Sequence, residues 1–352
     1  MRRTYYVFFA LIFFQCINAQ KKIFKCEKIH DAIELIDSGK YDEGITILKE
    51  CEKIDPTDST YPYEIAYAFV QKKEYKSAIL QLEKIKNYNN IDDYYFSLLG
   101  NTYDYDGNPN KAISTYNEGL KKFPNSGRLH LEKGVVYEFD KPSEAMKIYE
   151  KGIQVDPSYP SNYYRAAKLS LDSENKLAGL IYGEIFMNLE RTTKRTGEIS
   201  QKLYETYKNS IDLNDKNNKN LAFCKLVNIN PDMIGKGKLP FCTIFEMNFV
   251  LSLLDQSEFT LNALSDMREK FLKQYFTRDS KDYPNILLDY FKKMADNKIF
   301  NAYNHYIFQI GDQQAFSNWK KNNQAEYDKF EIWYTTDENI FKPDALIVTQ
   351  IK

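Results

Sequence analysis

The sequence has few of the residues that most often bind metals. It contains three histidines, His30, His130 and His305, and none has the paired spacing of a helical zinc-protease motif. None of its five cysteines has the close paired spacing of a zinc site. The sequence therefore predicts no metal site and no cofactor.

Short motifs of common enzymes are also missing. The segment GKGKLP, which begins at Gly235, lacks the Lys-Ser/Thr ending of a phosphate-binding loop, and no Gly-x-Ser-x-Gly elbow occurs. Adjacent carboxylates such as Asp92 and Asp93 are typical of solvated helix caps rather than of an acid–base pair. We therefore expect no catalytic residues and a protein that is not an enzyme.

Neither sign of charge is in excess. The 48 basic residues nearly balance the 49 acidic ones, so the chain lacks the basic face that nucleic acid requires. The 28 tyrosines and 23 phenylalanines in 352 residues can build a large core. The composition predicts a folded protein with no nucleic-acid partner.

Residues 1–19 have the features of an export signal. Two arginines precede the apolar segment TYYVFFALIFFQC, and the small residue Ala19 ends it. We predict cleavage between Ala19 and Gln20, which would place the mature protein in the periplasm or outside the cell. The alternatives are a retained anchor or lipidation at Cys16, although Gln15 is not the small residue that lipidation favours. No later apolar run is long enough to span a bilayer, so we expect no membrane span after cleavage.

A 34-residue repeat is the strongest pattern in the chain. One copy contains, in order, Phe96, Leu99, Gly100, Tyr103, Ala112, Tyr116 and Pro124. Related copies lie before and after it, at the pairs Ala32 and Gly44, Ala66 and Ala78, Gly134 and Ala145, and Ala166 and Ala178. The pattern resembles that of the tetratricopeptide repeat, W-x2-L-G-x2-Y, then A-x3-F, then P. The resemblance implies an all-α solenoid of about four to five two-helix repeats over residues 25–190.

An acidic segment lies between the two helices of this copy. Asp104, Asp106 and Asn108 match the first, third and fifth ligand positions of a helix-loop-helix calcium site. The sixth position is Pro109 instead of glycine, and the twelfth is Thr115 instead of glutamate. We therefore interpret the segment as a turn between helices.

Four cysteines remain after the predicted cleavage, an even number that permits two disulfides in an oxidising compartment. In the repeat alignment Cys26 lies near the start of a first helix and Cys51 near the end of its antiparallel partner. We predict a disulfide between Cys26 and Cys51, with two buried thiols as the alternative. Whether Cys224 pairs with Cys242 stays open.

Residues 191–352 keep helical periodicity without the repeat. Helices are predicted over 245–254, 261–276 and 286–294, with a helix-turn-helix around Gly311. The tail ALIVTQI is β-prone. We predict a C-terminal α-helical domain that follows the repeats.

The family resemblance implies a concave surface built by the first helix of each repeat, which usually binds an extended peptide or a partner helix. It places these residues on that surface as partner-binding candidates, some of which could instead pack between helices: Tyr63, Tyr67, Tyr94, Asn101, Asp104, Tyr105, Arg128, Glu132 and Tyr164. We therefore predict a non-enzymatic scaffold in the bacterial envelope that binds a protein partner. The alternative is an envelope enzyme or glycan-binding protein whose active part is the C-terminal half. Trp319 and Trp333 could then stack on sugars, provided that both lie exposed in a cleft.

Overall fold

A computed structural model describes residues 23–215, 219–224 and 239–351. The predicted export signal, Cys16 and Gly235 lie outside the described residues. Within them the structure is almost wholly helical, and β-structure is limited to one pair of two-residue strands. The predicted all-α fold is confirmed. The chain divides into two compact units between Asn90 and Ile91, and each is described by itself.

The first unit contains two helical hairpins. Its helices are α1 Ile29–Asp37, α2 Tyr41–Ile54, α3 Thr60–Gln71 and α4 Tyr75–Ile85. Helices α1 and α2 approach closely, because a Cβ on Gly44 would lie 2.8 Å from the carbonyl oxygen of Ala32. A disulfide joins Cys26 to Cys51 across this hairpin, with the Cα atoms 5.3 Å apart.

The second unit begins with three more hairpins and one further helix. Its first seven helices are α5 Asp93–Tyr105, α6 Pro109–Lys122, α7 Gly127–Glu138, α8 Pro142–Val155, α9 Pro160–Leu171, α10 Lys176–Leu189 and α11 Lys194–Ser210. Proline occupies the first position of α6, α8 and α9, where its missing N–H costs no hydrogen bond. The predicted tetratricopeptide pattern is confirmed by these hairpins. Helix α11 begins 34 residues after α9, so the spacing continues past the predicted end of the repeats.

The acidic segment of the sequence forms the turn between α5 and α6. Gly107 has a φ of 79°, a conformation that glycine adopts without steric cost. The side-chain amide of Asn108 donates a hydrogen bond to the carbonyl oxygen of Asp106 at 3.1 Å. These residues serve the turn that the sequence interpretation assigned to them.

The remaining elements follow the repeats in the second unit. They are β1 Ile211–Asp212, β2 Asn220–Leu221, α12 Phe241–Phe249, a 3₁₀ turn Val250–Leu253, α13 Leu261–Arg278, α14 Ile286–Asp296, α15 Phe300–Ile307, α16 Gln313–Asn322, α17 Gln324–Thr335, a 3₁₀ turn Asp337–Asn339 and α18 Ile347–Gln350. A second disulfide joins Cys224 to Cys242, with the Cα atoms 5.9 Å apart. The tail does not form the β-strand that its composition favours. Ile347 and Val348 lie in the short helix α18, and both side chains are buried.

One continuous hydrophobic core runs from α8 to α18. Within it Glu184 of α10 forms a two-pronged ion pair with Arg268 of α13, at 2.6 and 2.8 Å, and both side chains are 3% exposed. The rings of Phe291 and Phe308 lie 5.0 and 4.9 Å from the guanidinium carbon. The pair joins the repeats to the helices that follow, and the domain boundary after residue 190 stays a prediction.

Candidate functional site

The candidate site is the surface that the first helices α5, α7, α9 and α11 form in the second unit, here called the first-helix surface. Neighbouring first helices contact one another along it. Two glycines of the first helices allow close packing beneath this surface. Gly100 and Gly134 leave room for the rings of Tyr116 and Tyr149, which belong to the second helices. The Tyr116 hydroxyl then donates to Asn101 at 2.5 Å, and the Tyr149 hydroxyl donates to Glu138 at 2.5 Å. Buried tyrosines thus hold polar groups of the first helices in fixed positions.

A stacked guanidinium lies at one end of this surface. The guanidinium carbon of Arg128 is 3.8 Å from the ring centroid of Tyr94 and 5.7 Å from that of Tyr159. Its Nε has no hydrogen-bond partner among the described residues and lies 4.0 Å from a carboxylate oxygen of Asp93. Cation–π stacking orients the guanidinium, because the face of a tyrosine ring attracts a cation. Tyr94 itself is 50% exposed, so one side of the stack is accessible.

A half-buried carboxyl lies on α7, one turn beyond Arg128. Glu132 accepts hydrogen bonds from the Ser97 hydroxyl, at 3.4 Å, and from the Asn101 amide. Burial raises the pKa of Glu132, and this outweighs the opposing effects of those hydrogen bonds and of Arg128. A cationic group brought to this carboxyl would favour its ionised form and lower its pKa again.

Paired charges continue the surface towards α11. Arg165 donates to Glu138 at 3.2 Å, which ties α9 to α7. Lys168 forms an ion pair with Glu198 at 2.8 Å, which ties α9 to α11. The first-helix surface therefore presents acidic and basic groups in alternation.

The structure places the predicted partner-binding residues in different settings. It brings Tyr94 onto Arg128 and Asn101 onto Glu132, while Tyr105 is 57% exposed and Asp104 is half-buried on the same helix as Tyr94. Tyr164 is covered, because only 9% of it is exposed and its hydroxyl donates to Glu198 at 2.5 Å.

Tyr63 and Tyr67 belong to α3 of the first unit, where both are half-buried. Sequence reasoning missed the charges Glu138, Arg165, Lys168 and Glu198. Arg165 directly precedes the small residue Ala166, a position that the repeat register assigns to the binding surface. The repeat alignment could therefore have predicted that Arg165 lies on the binding surface.

The two tryptophans do not form a sugar-stacking cleft. Trp319 is 9% exposed, and the His305 ring stacks on it with centroids 4.0 Å apart. Trp333 is half-buried beside the ring of Tyr290, at 5.7 Å between centroids. The glycan-binding alternative therefore lacks the exposed indoles on which it depends.

No protein-family model and no curated protein matches the chain. Solved structures that align with about half of it include MamA from Desulfovibrio magneticus, at 14% identity over 47% of this chain and 94% of that chain, with a TM-score of 0.37. The protein TTC0263, a tetratricopeptide-repeat protein of Thermus thermophilus, is 17% identical over 50% of this chain and 96% of its own, with a TM-score of 0.42. PilF of Pseudomonas aeruginosa is 18% identical over 51% of this chain and 82% of its own, with a TM-score of 0.43. At these levels of similarity, the helix register and packing carry the fold assignment.

Proposed function

We propose that this protein is a non-enzymatic scaffold of the bacterial envelope that binds a peptide or partner helix on its first-helix surface. The stacked pair of Tyr94 and Arg128 carries the proposal. Tyrosine and arginine contribute strongly to binding energy at interfaces. A guanidinium already held flat loses little freedom when a partner arrives, which lowers the entropic cost of binding.

The neighbouring groups support the same proposal. Glu132 lies next to the stack with a carboxyl whose pKa is raised, and Tyr105 adds an exposed ring on α5. Aromatic area beside groups of both charges suits a partner segment that carries apolar and charged residues in turn. We include Tyr63 and Tyr67 of the first unit as a second candidate contact region.

Export is part of this proposal. Within the described residues no helix is long and apolar enough to cross a membrane. Two disulfides agree with an oxidising compartment. Expression of the full chain in a bacterial host, followed by fractionation and N-terminal sequencing, tests export; a mature protein that begins at Gln20 would support it, and uncleaved protein in the cytosol would contradict it.

The binding test is an affinity capture from envelope extracts, followed by titration of each captured protein. The test variants are Arg128→Lys, which keeps the charge but loses the planar stack, and the double variant Tyr94→Ala with Tyr105→Ala. The matched control is Ser114→Ala with Asn117→Ala, because both residues are exposed on the second helix α6. Helicity is compared for all variants.

We expect a partner whose affinity falls for both test variants and stays constant for the control. Equal affinity for all proteins would place the binding site elsewhere and contradict the proposal. A parallel experiment tests the double variant Tyr63→Ala and Tyr67→Ala. Its control is Leu80→Ala, because Leu80 is an exposed residue of α4. A loss restricted to this double variant would assign binding to the first unit instead.

A further inference from the structure

A cleft lies among the C-terminal helices of the second unit. It has a volume of about 650 Å³ and is bounded by α13, α14, the start of α15 and the start of α17. This volume is within the range of small-molecule sites. Phe276 and Ala295 are half-buried and give the cleft its accessible apolar surface, while Glu269, Lys273 and Lys298 bring charges of both signs at its exposed edge.

The charged groups on the α13 wall of this cleft have the spacing of an ion pair. Glu269 and Lys273 are four residues apart, in the order that favours such a pair on a helix. Nearby pairs with the same spacing do form, between Asp266 and Lys270 at 2.7 Å and between Lys292 and Asp296 at 2.5 Å.

In contrast, the side chains of Glu269, Lys273 and Lys298 make no hydrogen bond or ion pair within the described part of the chain. Glu269 keeps an exposed edge, and its partial desolvation in the cleft raises its pKa, as do the negative charges of Asp266 and Glu326. An ammonium group near this carboxyl would relieve both effects. The cleft thus has an acidic end that favours a cation and two ammonium groups that favour an anion.

We propose that this cleft binds a short zwitterionic peptide with apolar side chains. Glu269 would take the terminal ammonium, Lys273 and Lys298 the terminal carboxylate, and Phe276 with Ala295 the side chains. The spacing fits a dipeptide, since four residues of α-helix advance about 6 Å and two extended residues span about 7 Å. The proposal uses no residue of the first-helix surface, so the two proposals succeed or fail separately.

The test is calorimetric titration of the full-length chain with the dipeptide Leu-Phe. The variants are Glu269→Gln and Lys273→Met, each close in size to the residue it replaces. The matched controls are Glu258→Gln and Lys281→Met, two exposed residues outside the cleft. N-acetyl-Leu-Phe, which lacks the terminal ammonium, is titrated into the same proteins.

We expect each cleft variant to weaken Leu-Phe binding by at least about tenfold, and the controls to leave it within about twofold. Acetylation should weaken binding to the unaltered chain by a similar factor, and Glu269→Gln should then add nothing further. Absence of binding up to about 10 mM would overturn the proposal, as would equal binding by the cleft variants and the controls.

Discussion

The ring of Tyr116 occupies the space that a side chain on Gly100 would need. A Cβ on Gly100 would lie 2.6 Å from Cζ of Tyr116, and one on Gly134 would lie 2.7 Å from Cδ1 of Tyr149. Both distances are shorter than van der Waals contact. Each glycine therefore lets a tyrosine of the second helix pack beneath the first helix. The tyrosine hydroxyl then hydrogen-bonds a polar side chain of the first-helix surface and holds it in position.

The replacement Gly100→Ala should destabilise the protein. Overpacking costs about 1–3 kcal/mol, and the higher helix propensity of alanine offsets about 1 kcal/mol. We expect a net loss of up to about 2 kcal/mol in the free energy of unfolding, measured by urea titration with circular dichroism. Gly197 of α11 is the control, because a Cβ there would meet no atom within 4 Å. Gly197→Ala should stabilise by about 0.5–1 kcal/mol, and an equal gain from Gly100→Ala would refute the clash.

Replacing only one partner of the buried pair Glu184 and Arg268 should strongly lower the free energy of unfolding. Glu184→Gln would leave the guanidinium of Arg268 without its charge partner among aromatic rings, and such a loss costs about 3–5 kcal/mol. The double variant Glu184→Met with Arg268→Met removes both charges and should lose less stability than the sum of the losses of the single variants Glu184→Met and Arg268→Met. Urea titrations of the four proteins give the coupling energy. A coupling energy near zero would contradict an energetically coupled ion pair in the core.

Glu64 should make the first unit less stable as pH rises. Burial raises its pKa from 4.5 to about 7, with a further contribution from Asp37. The folded state therefore holds the proton more tightly than the unfolded state. The resulting stabilisation is complete below pH 4.5, falls as pH rises towards 7 and is absent above, with a total of at most about 3 kcal/mol.

Thermal unfolding between pH 4 and 8 measures this dependence, and Glu64→Gln is the matched variant. It should flatten the change between pH 4.5 and 7 and be more stable than the unaltered chain at pH 8. If both proteins show the same pH profile, Glu64 is not the group responsible.

The two disulfides give a chemical prediction. Proteolysis without reductant, applied to protein produced in an oxidising compartment, should yield the linked pairs Cys26 with Cys51 and Cys224 with Cys242, identified by mass spectrometry. The variant Cys26→Ser with Cys51→Ser should lose about 3.5 kcal/mol, the loop-entropy value for a bridge that spans 25 residues. Recovery of four free thiols would contradict both pairings.

The sequence predicted the hairpins well because each repeat carries its own packing signal. Small residues mark the close approach of two helices, as at Gly100 and Gly134, and prolines mark the helix starts. The sequence predicted helical periodicity in the region of α11 but not its repeat spacing, because Gln201 lies seven residues after the helix start, where α5 and α7 have glycine. Gln201 is exposed, so nothing packs closely enough there to require a small residue.

Polar contacts of the site were harder to predict than its helices. Glu138 and Arg165 are 27 residues apart in sequence, and only the packing of α7 against α9 makes them partners. Arg268 has the sequence surroundings of a surface arginine, in the segment DMREK. Its burial arises from rings on three other helices and from an acid 84 residues earlier. Such contacts follow from tertiary packing and leave no local pattern.

The pair of Glu184 and Arg268 also shows that a boundary in sequence need not be a boundary in folding. The repeat pattern ends near residue 190, yet the acid that neutralises Arg268 lies before that point. A fragment that begins at residue 191 would carry a guanidinium inside an aromatic cage with no counter-ion. The C-terminal helices therefore depend on the repeats for a counter-ion in their core, and we expect them not to reach their native packing as an isolated fragment.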